Sequence, residues 1–300
     1  MNSVAQPIHT TATRRALDTR SQVVSHVVPR KPRRQDLEIK LAELQKDYAA
    51  LHTAIFEAAQ VHRRLCAPRL LSYQDFEIAS EIFAVRHLPG DFFTVEETDG
   101  GIILALGDIC GKGLSAGMWT THVAGLVRAH TSRTTDTEEI MTQVNVDLTR
   151  MLSLRPFASL FLANLNPTTG VLHYSSAGHP PALVLRADGE LERLCEGGLL
   201  LGVLSDAEYS RGAVQLNYGD MLVVYSDGII ESLNHAGHEF GYERLEAQLR
   251  ESQADSADSV LFSVLGAVQD FAGTRPLVDD MSLAVVRRAN SPAMANARAA

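Results

Sequence analysis

Five acidic residues stand out by the company they keep. Asp91 lies in LPGDFF, Asp108 in LGDICGKG, Asp227 in VVYSDGIIES, and Asp279 with Asp280 in VDDMSL. Each falls at the end of a strand-like apolar run or at a strand-to-turn junction, beside glycine or another carboxylate. A strand end holds a carboxylate on rigid backbone, and a neighbouring glycine lets backbone carbonyls and water approach. That combination suits hard divalent cations such as magnesium or manganese, which take oxygen ligands. No His or Cys lies at zinc-like spacing in these segments. Asp-Gly is also a common turn pair, so any one of these positions alone reads as a turn. In the Asp279-Asp280 pair an extended backbone sends the two side chains to opposite sides, and only one can face a shared ion.

The elements that must position these residues are legible from Phe76 onward, where short β-branched and apolar runs are separated by turn pairs. Asp99-Gly100 and Asp188-Gly189 read as hairpin turns, and Asn166-Pro167 through Gly170 as a longer loop between strands. This predicts mainly antiparallel sheets. Helices are predicted from Leu114 to about Arg133, Asp136 to about Leu152, Tyr242 to Arg250 and Ala257 to Phe271. Helix pairs set between groups of hairpin-linked strands imply an α+β architecture of sheets packed face to face under helices. Ahead of them Leu37, Leu41, Leu44, Tyr48, Leu51, Ile55, Ala58, His62 and Leu65 recur at alternating steps of four and three. This heptad seam predicts a helix from Asp36 to near Pro68, read in preference as a coiled coil that makes a homodimer, with an amphipathic helix laid on its own domain as the alternative. His62 weakens the repeat.

Five motifs in order, LPGDFF, GDICGKGLSAGM, FASLFLANLNPTTGVLHYSSAGHPP, GDMLVVYSDGIIESLN and DDMSLAVV, resemble the SpoIIE/RsbU-type branch of the metal-dependent (PPM) serine/threonine phosphatases. The resemblance runs from about residue 60 to residue 288, and AAQVHRRLCAP resembles the helix that leads into such domains. It implies a four-layer α-β-β-α sandwich with two divalent ions, Mn2+ or Mg2+, at one end of the paired sheets. It further implies that Asp108 bridges both ions and that the Ile109 carbonyl reaches one. Asp91, Asp227 and Asp279 would supply the other acidic ligands, making Asp91 and Asp108 the catalytic carboxylates. A water shared by two such ions becomes hydroxide near neutral pH and attacks phosphorus in line. The implied reaction is hydrolysis of phosphoserine or phosphothreonine on a signalling protein such as an anti-sigma-factor antagonist. Pro89 stands where glycine is usual and Thr94 where a second acidic residue often follows, which bears on the affinity for one metal. These departures leave open a pseudophosphatase that keeps the fold as a partner-binding module.

Composition narrows the partners. The chain of 300 residues carries a net charge of −9, but its first 35 residues hold seven of the 27 basic residues and one of the 36 acidic ones. The remainder carries −15, which argues against nucleic acid as a partner and against a metal nuclease. The expected organisation is a disordered basic tail (1–35), a coiled-coil or linker helix (36–66), a phosphatase domain (67–288) and a disordered tail (289–300). Cys66, Cys110 and Cys195 are dispersed and odd in number, so neither a disulfide framework nor a metal site is indicated. With no apolar run of roughly 18 residues, the expectation is a cytoplasmic protein with no membrane partner. Lys112 reads either as a contact to substrate phosphate or as a solvated turn residue. His179 reads as a structural tether before Pro180 and Pro181, Cys110 as a small half-buried side chain, and Trp119 as a core or interface residue.

Overall fold

In the computed structural model, which describes residues 33–66, 69–151 and 156–289, the first element is the helix α1 (Arg34–Cys66). Strands β1 (Leu70–Tyr73), β2 (Phe76–Phe83), β3 (Asp91–Thr98) and β4 (Gly101–Ile109) follow, then helices α2 (Leu114–Thr131) and α3 (Thr137–Thr149). Next come β5 (Ala158–Leu165), β6 (Val171–Ala177), β7 (Ala182–Leu185), β8 (Leu191–Leu194), the two-residue β9 (Gly197–Gly198), β10 (Gly212–Gln215) and β11 (Met221–Tyr225). Helices α4 (Asp227–Ile230), α5 (Gly241–Glu251) and α6 (Ala257–Ala272) lead to β12 (Met281–Arg288). Two compact units meet within α1, one ending at Ala50 and the other beginning at Leu51. Most of the expected basic tail, Pro68, and the expected tail beyond Ala289 lie outside the described residues.

One sheet runs β1-β2-β12-β11-β7-β8, with every neighbouring pair antiparallel. The other runs β10-β6-β5-β4-β3, also antiparallel, with β9 parallel beside β6. The three expected turns join β3 to β4, β5 to β6 and β7 to β8. Strand β12 is inserted between β2 and β11, registering Met281 with Phe83 on one side and Leu283 with Tyr225 on the other.

Burial resolves into three layers of apolar packing. Ile78, Phe93, Leu104, Phe161, Leu222 and Val286 fill the space between the sheets. Leu183, Val223 and Leu283 meet Val260, Leu261 and Val264 of α6 on the outer side of one sheet. Ile103 and Leu160 meet Val123, Val127, Ile140 and Val144 of α2 and α3 on the outer side of the other. Each such fully buried side chain contributes about 1.5–3 kcal/mol. Strands β4 and β12 are covered on both faces, which is why their apolar runs, Ile102 to Leu106 and Leu283 to Val286, do not alternate with polar residues. The architecture is the expected four-layer α-β-β-α sandwich.

Local chemistry places the helices. The Asp136 carboxylate caps α3 by accepting from the N–H groups of Glu138 and Glu139, at 3.0 and 3.2 Å. Helix α2 buries Ala116, Thr120, Val123, Ala124 and Val127 at helical spacing. Arg128 on its outer edge donates to the Leu65 carbonyl near the end of α1 and pairs with Glu96 on β3. Leu37, Leu41, Leu44 and Leu51 on α1 are each more than half exposed. The last turns depart from the predicted seam, because His62 is 4% exposed, buried within the unit that begins at Leu51. Among the described residues no helix is long and apolar enough to cross a membrane.

Candidate metal centre

Antiparallel pairing sets Asp91, the first residue of β3, opposite Asp108 near the end of β4, and Asp108 opposite Ser159 on β5. Directly paired residues project from the same face. Two-residue alternation makes this the face of Phe93 and Leu106, which look toward the other sheet. Asp91 is 1% exposed, and its Oδ2 accepts a hydrogen bond from Ser282 Oγ on β12. This carboxylate therefore spans the gap between the sheets at their shared end.

The loop between β2 and β3 is held from three sides. The Asp280 carboxylate accepts from the N–H groups of Val85 and Gly90, both at 2.7 Å. The Gly90 carbonyl accepts from Ile109 N–H at 3.1 Å and from the Thr120 hydroxyl of α2 at 2.8 Å. A methyl group on Gly90 would stand 3.2 Å from the Ile109 carbonyl oxygen and 3.3 Å from Asp108 Oδ1. Glycine here leaves open a space that both oxygens border.

Asp227 opens α4 rather than ending a strand. After this junction Ile229 and Ile230 turn helical and bury against α5, α6 and the outer face of the sheet. At Gly228 a Cβ would lie 2.0 Å from the Asp280 carbonyl oxygen, so the bare glycine lets this turn dock on the 279–280 segment. Asp279 and Asp280 diverge, as expected, although Asp279 lies in a bend just before β12. Asp280 turns to the β2–β3 loop, while Asp279 Oδ2 meets Lys112 Nζ at 2.7 Å. Lys112 also donates to the Val278 carbonyl at 2.6 Å.

Crowding shows in the protonation of the cluster. Burial raises Asp91 to about 7, with the charge of Asp280 adding and hydrogen bonds from Ser282 and Ser226 opposing. Burial likewise raises Asp108 to about 9, reinforced by the charges of Asp91, Asp227 and Asp279 and by a hydrogen bond shared with Asp91. Asp227 is raised by burial and by Asp279, against the opposing N–H of Gly228 and the charge of Lys112. Four carboxylates from separate parts of the chain thus act on one another, as anions do when a cation is needed to balance them. With the Ile109 carbonyl the donors are all oxygen, and they fit a hard divalent ion. As the side chains stand, no three His, Cys, Asp or Glu among the described residues are gathered closely enough to enclose one.

Other expectations sort themselves around this centre. Alternation puts Thr94 with Phe92 on the helix-covered face, its hydroxyl buried and unpartnered, so this position looks away from the carboxylates. His179 is buried, neutral because burial lowers its pKa to about 3, and its Nδ1 lies 2.9 Å from Ser159 Oγ. Cys110 is exposed rather than half-buried; desolvation and the charges of Asp108 and Asp227 raise its thiol pKa. Trp119 packs in part against the α2–α3 core. The supporting groups Ser226, Ser282, Asp280 and Thr120 carry no local signature. Their partners lie up to 191 residues away, and only the doubled Asp279-Asp280 marked one of them.

Residues 98–289 match the family model for Stage II sporulation protein E (SpoIIE). The chain belongs to the SpoIIE family. It falls in the SpoIIE/RsbU branch of the metal-dependent serine/threonine phosphatases. It is 26% identical over 237 residues to the phosphoserine phosphatase RsbU of Bacillus subtilis, covering 77% of this chain and 69% of RsbU. It is 23% identical to the protein IcfG of Synechocystis, covering 62% of this chain but only 34% of IcfG. Among solved folds, the SiaA-PP2C domain of Pseudomonas aeruginosa superposes with a TM-score of 0.70 at 17% identity, covering 80% of this chain and 98% of that domain. The phosphatase domain of SpoIIE from Bacillus subtilis, with a fragment of its regulatory domain, superposes at 0.62 and 19% identity, covering 72% of this chain and 64% of that one. The PstP catalytic domain, solved with two manganese ions, superposes at 0.53 and 16% identity, covering 72% and 99%.

Proposed function

We propose that this chain hydrolyses phosphoserine or phosphothreonine on a partner protein at the end of the paired sheets where Asp91, Asp108, Asp227 and Asp279 converge. The observation that carries the reading is the burden on Asp108, whose proton is held by burial and by the charges of the three other carboxylates. Asp91, Asp108, the Ile109 carbonyl, Asp227 and Asp279 would hold two divalent ions, Mn2+ or Mg2+. When bound, the ions would acidify a shared water and withdraw charge from the phosphoryl oxygens. The chain's own part is positional. Ser282 fixes the Asp91 carboxylate, Asp280 fastens both ends of the β2–β3 loop, and Gly90 keeps the space before Asp108 and Ile109 open. Likeness to RsbU supports a phosphoserine substrate, and an anti-sigma-factor antagonist or similar small signalling domain is the partner we favour. The exposed leucine stripe on α1 would pair with a second copy of the chain in a coiled-coil dimer.

The Lys112–Asp279 ion pair and the absence of a tightly gathered carboxylate trio among the described residues favour a second reading, a non-hydrolysing partner-binding module. Release of p-nitrophenol from its phosphate, and of phosphate from a phosphoserine peptide, with Mn2+ and with chelator, separates the two. Hydrolysis that needs Mn2+ and falls by orders of magnitude in Asp108→Asn supports the enzyme. Phosphopeptide binding without turnover at any metal concentration supports the module.

A further inference from the structure

Lys112 holds a place in the centre that ligation and catalysis leave unexplained. It follows Asp108 by four residues in the loop before α2. Gly111 and Gly113 on either side of it have φ of 134° and 82°, backbone states that other residues rarely adopt. The loop therefore carries the Lys112 backbone to the edge of the cluster on a specific path, while the long side chain stays partly exposed. Its ammonium takes Asp279 Oδ2 at 2.7 Å and the Val278 carbonyl at 2.6 Å. The other oxygen of Asp279, Oδ1, accepts from the Asp280 N–H at 3.0 Å. Both oxygens of a proposed metal ligand are engaged, one of them by a cation that also offsets the charge of Asp227.

We propose that Lys112 is a tethered counter-cation that competes with a divalent ion for Asp279, so that this half of the centre fills only as Lys112 swings away. The inference rests on the phosphatase reading of the site. A divalent ion sits about 2.0–2.6 Å from a carboxylate oxygen, and an ammonium held on that same oxygen would place two cations within a few ångströms of each other. One must leave, and lysine is built to do so, being a point charge on a flexible stem. Its side chain is 38% exposed, so the route to solvent is open. Two of its three N–H donors are committed in the held position, and release would free all three.

Calorimetric titration of the full chain with Mn2+ tests this, alongside Lys112→Gln, Lys112→Met and Lys112→Arg, with melting curves to confirm folding. Removing the charge by either Gln or Met should tighten the weaker Mn2+ site by about tenfold, while Arg should leave it weak. Unchanged or weaker Mn2+ binding in both neutral variants would overturn the competition. A fall in kcat on p-nitrophenyl phosphate with unaltered Mn2+ affinity would overturn it too, and assign Lys112 to the substrate phosphate instead. If the wild-type chain binds no Mn2+, the phosphatase reading falls and this inference with it; if it binds and hydrolyses normally, only the role of Lys112 is at stake.

Discussion

Replacing Asp108 with asparagine should abolish hydrolysis and at the same time stabilise the ion-free protein. In the folded chain Asp108 keeps its proton to about pH 9, first because burial penalises its anion and then because Asp91, Asp227 and Asp279 repel a further negative charge. In the unfolded chain the same group ionises near its ordinary value of 3.8. Between those values the folded state binds more protons, so stability falls as pH rises from about 4 toward 9. At about 1.4 kcal/mol per pH unit, the ceiling on this loss is about 6 kcal/mol at pH 8. Asp108 is only partly buried, and water reaching it lowers the realised cost to roughly 2–3 kcal/mol. Asparagine keeps the shape, can still donate to Asp91, and has no proton to retain. Urea unfolding in chelator should therefore show Asp108→Asn more stable by roughly 2–3 kcal/mol at pH 8 and by less than about 1 kcal/mol at pH 5. Saturating Mn2+ should stabilise the wild type alone and reverse the order. Equal stabilities at pH 8 in chelator, or a wild-type advantage there, would refute the claim that these carboxylates are held together against their own repulsion.

Three further outcomes are expected. Gly90→Ala should cost about 1 kcal/mol by crowding the Ile109 carbonyl and Asp108 Oδ1, and should weaken Mn2+ binding in calorimetry more than it lowers the melting temperature. Asp280→Ala strips the acceptor from the Val85 and Gly90 N–H groups; a loss of about 3 kcal/mol in urea unfolding is expected, and a loss below about 0.5 kcal/mol would show that the loop does not depend on it. Leu41→Glu combined with Leu44→Glu should convert a dimer to a monomer in light scattering behind size exclusion, and a monomeric wild type would remove the coiled-coil proposal.

The sandwich was readable because its turns are local. Asp99-Gly100 and Asp188-Gly189 each announce a hairpin, and hairpins dictate antiparallel neighbours. The central place of β12 was not readable, because its partners β2 and β11 are chosen by burial on both faces and no short-range pattern encodes them. The four carboxylates stood out through glycine and acidic neighbours. Their supports did not: Ser282 and Thr120 are ordinary residues until the fold lays them on Asp91 and Gly90. The short helix at DGII was not readable, because the strand preference of β-branched isoleucine yields here to packing against α5 and α6. Thr94 was weighed by motif alignment alone, which ignores the facing of alternate residues along β3.

Because β12 is the last strand among the described residues yet lies in the middle of its sheet, that sheet cannot finish folding in the order in which its strands are synthesised. Until Met281 to Arg288 have left the ribosome, β2 and β11 have no shared neighbour and Asp91 has no Ser282 to brace it. A chain terminated before Asp279 loses a structural keystone and two of the five acidic residues together, so such stops should yield unfolded, inert product rather than a partly active one.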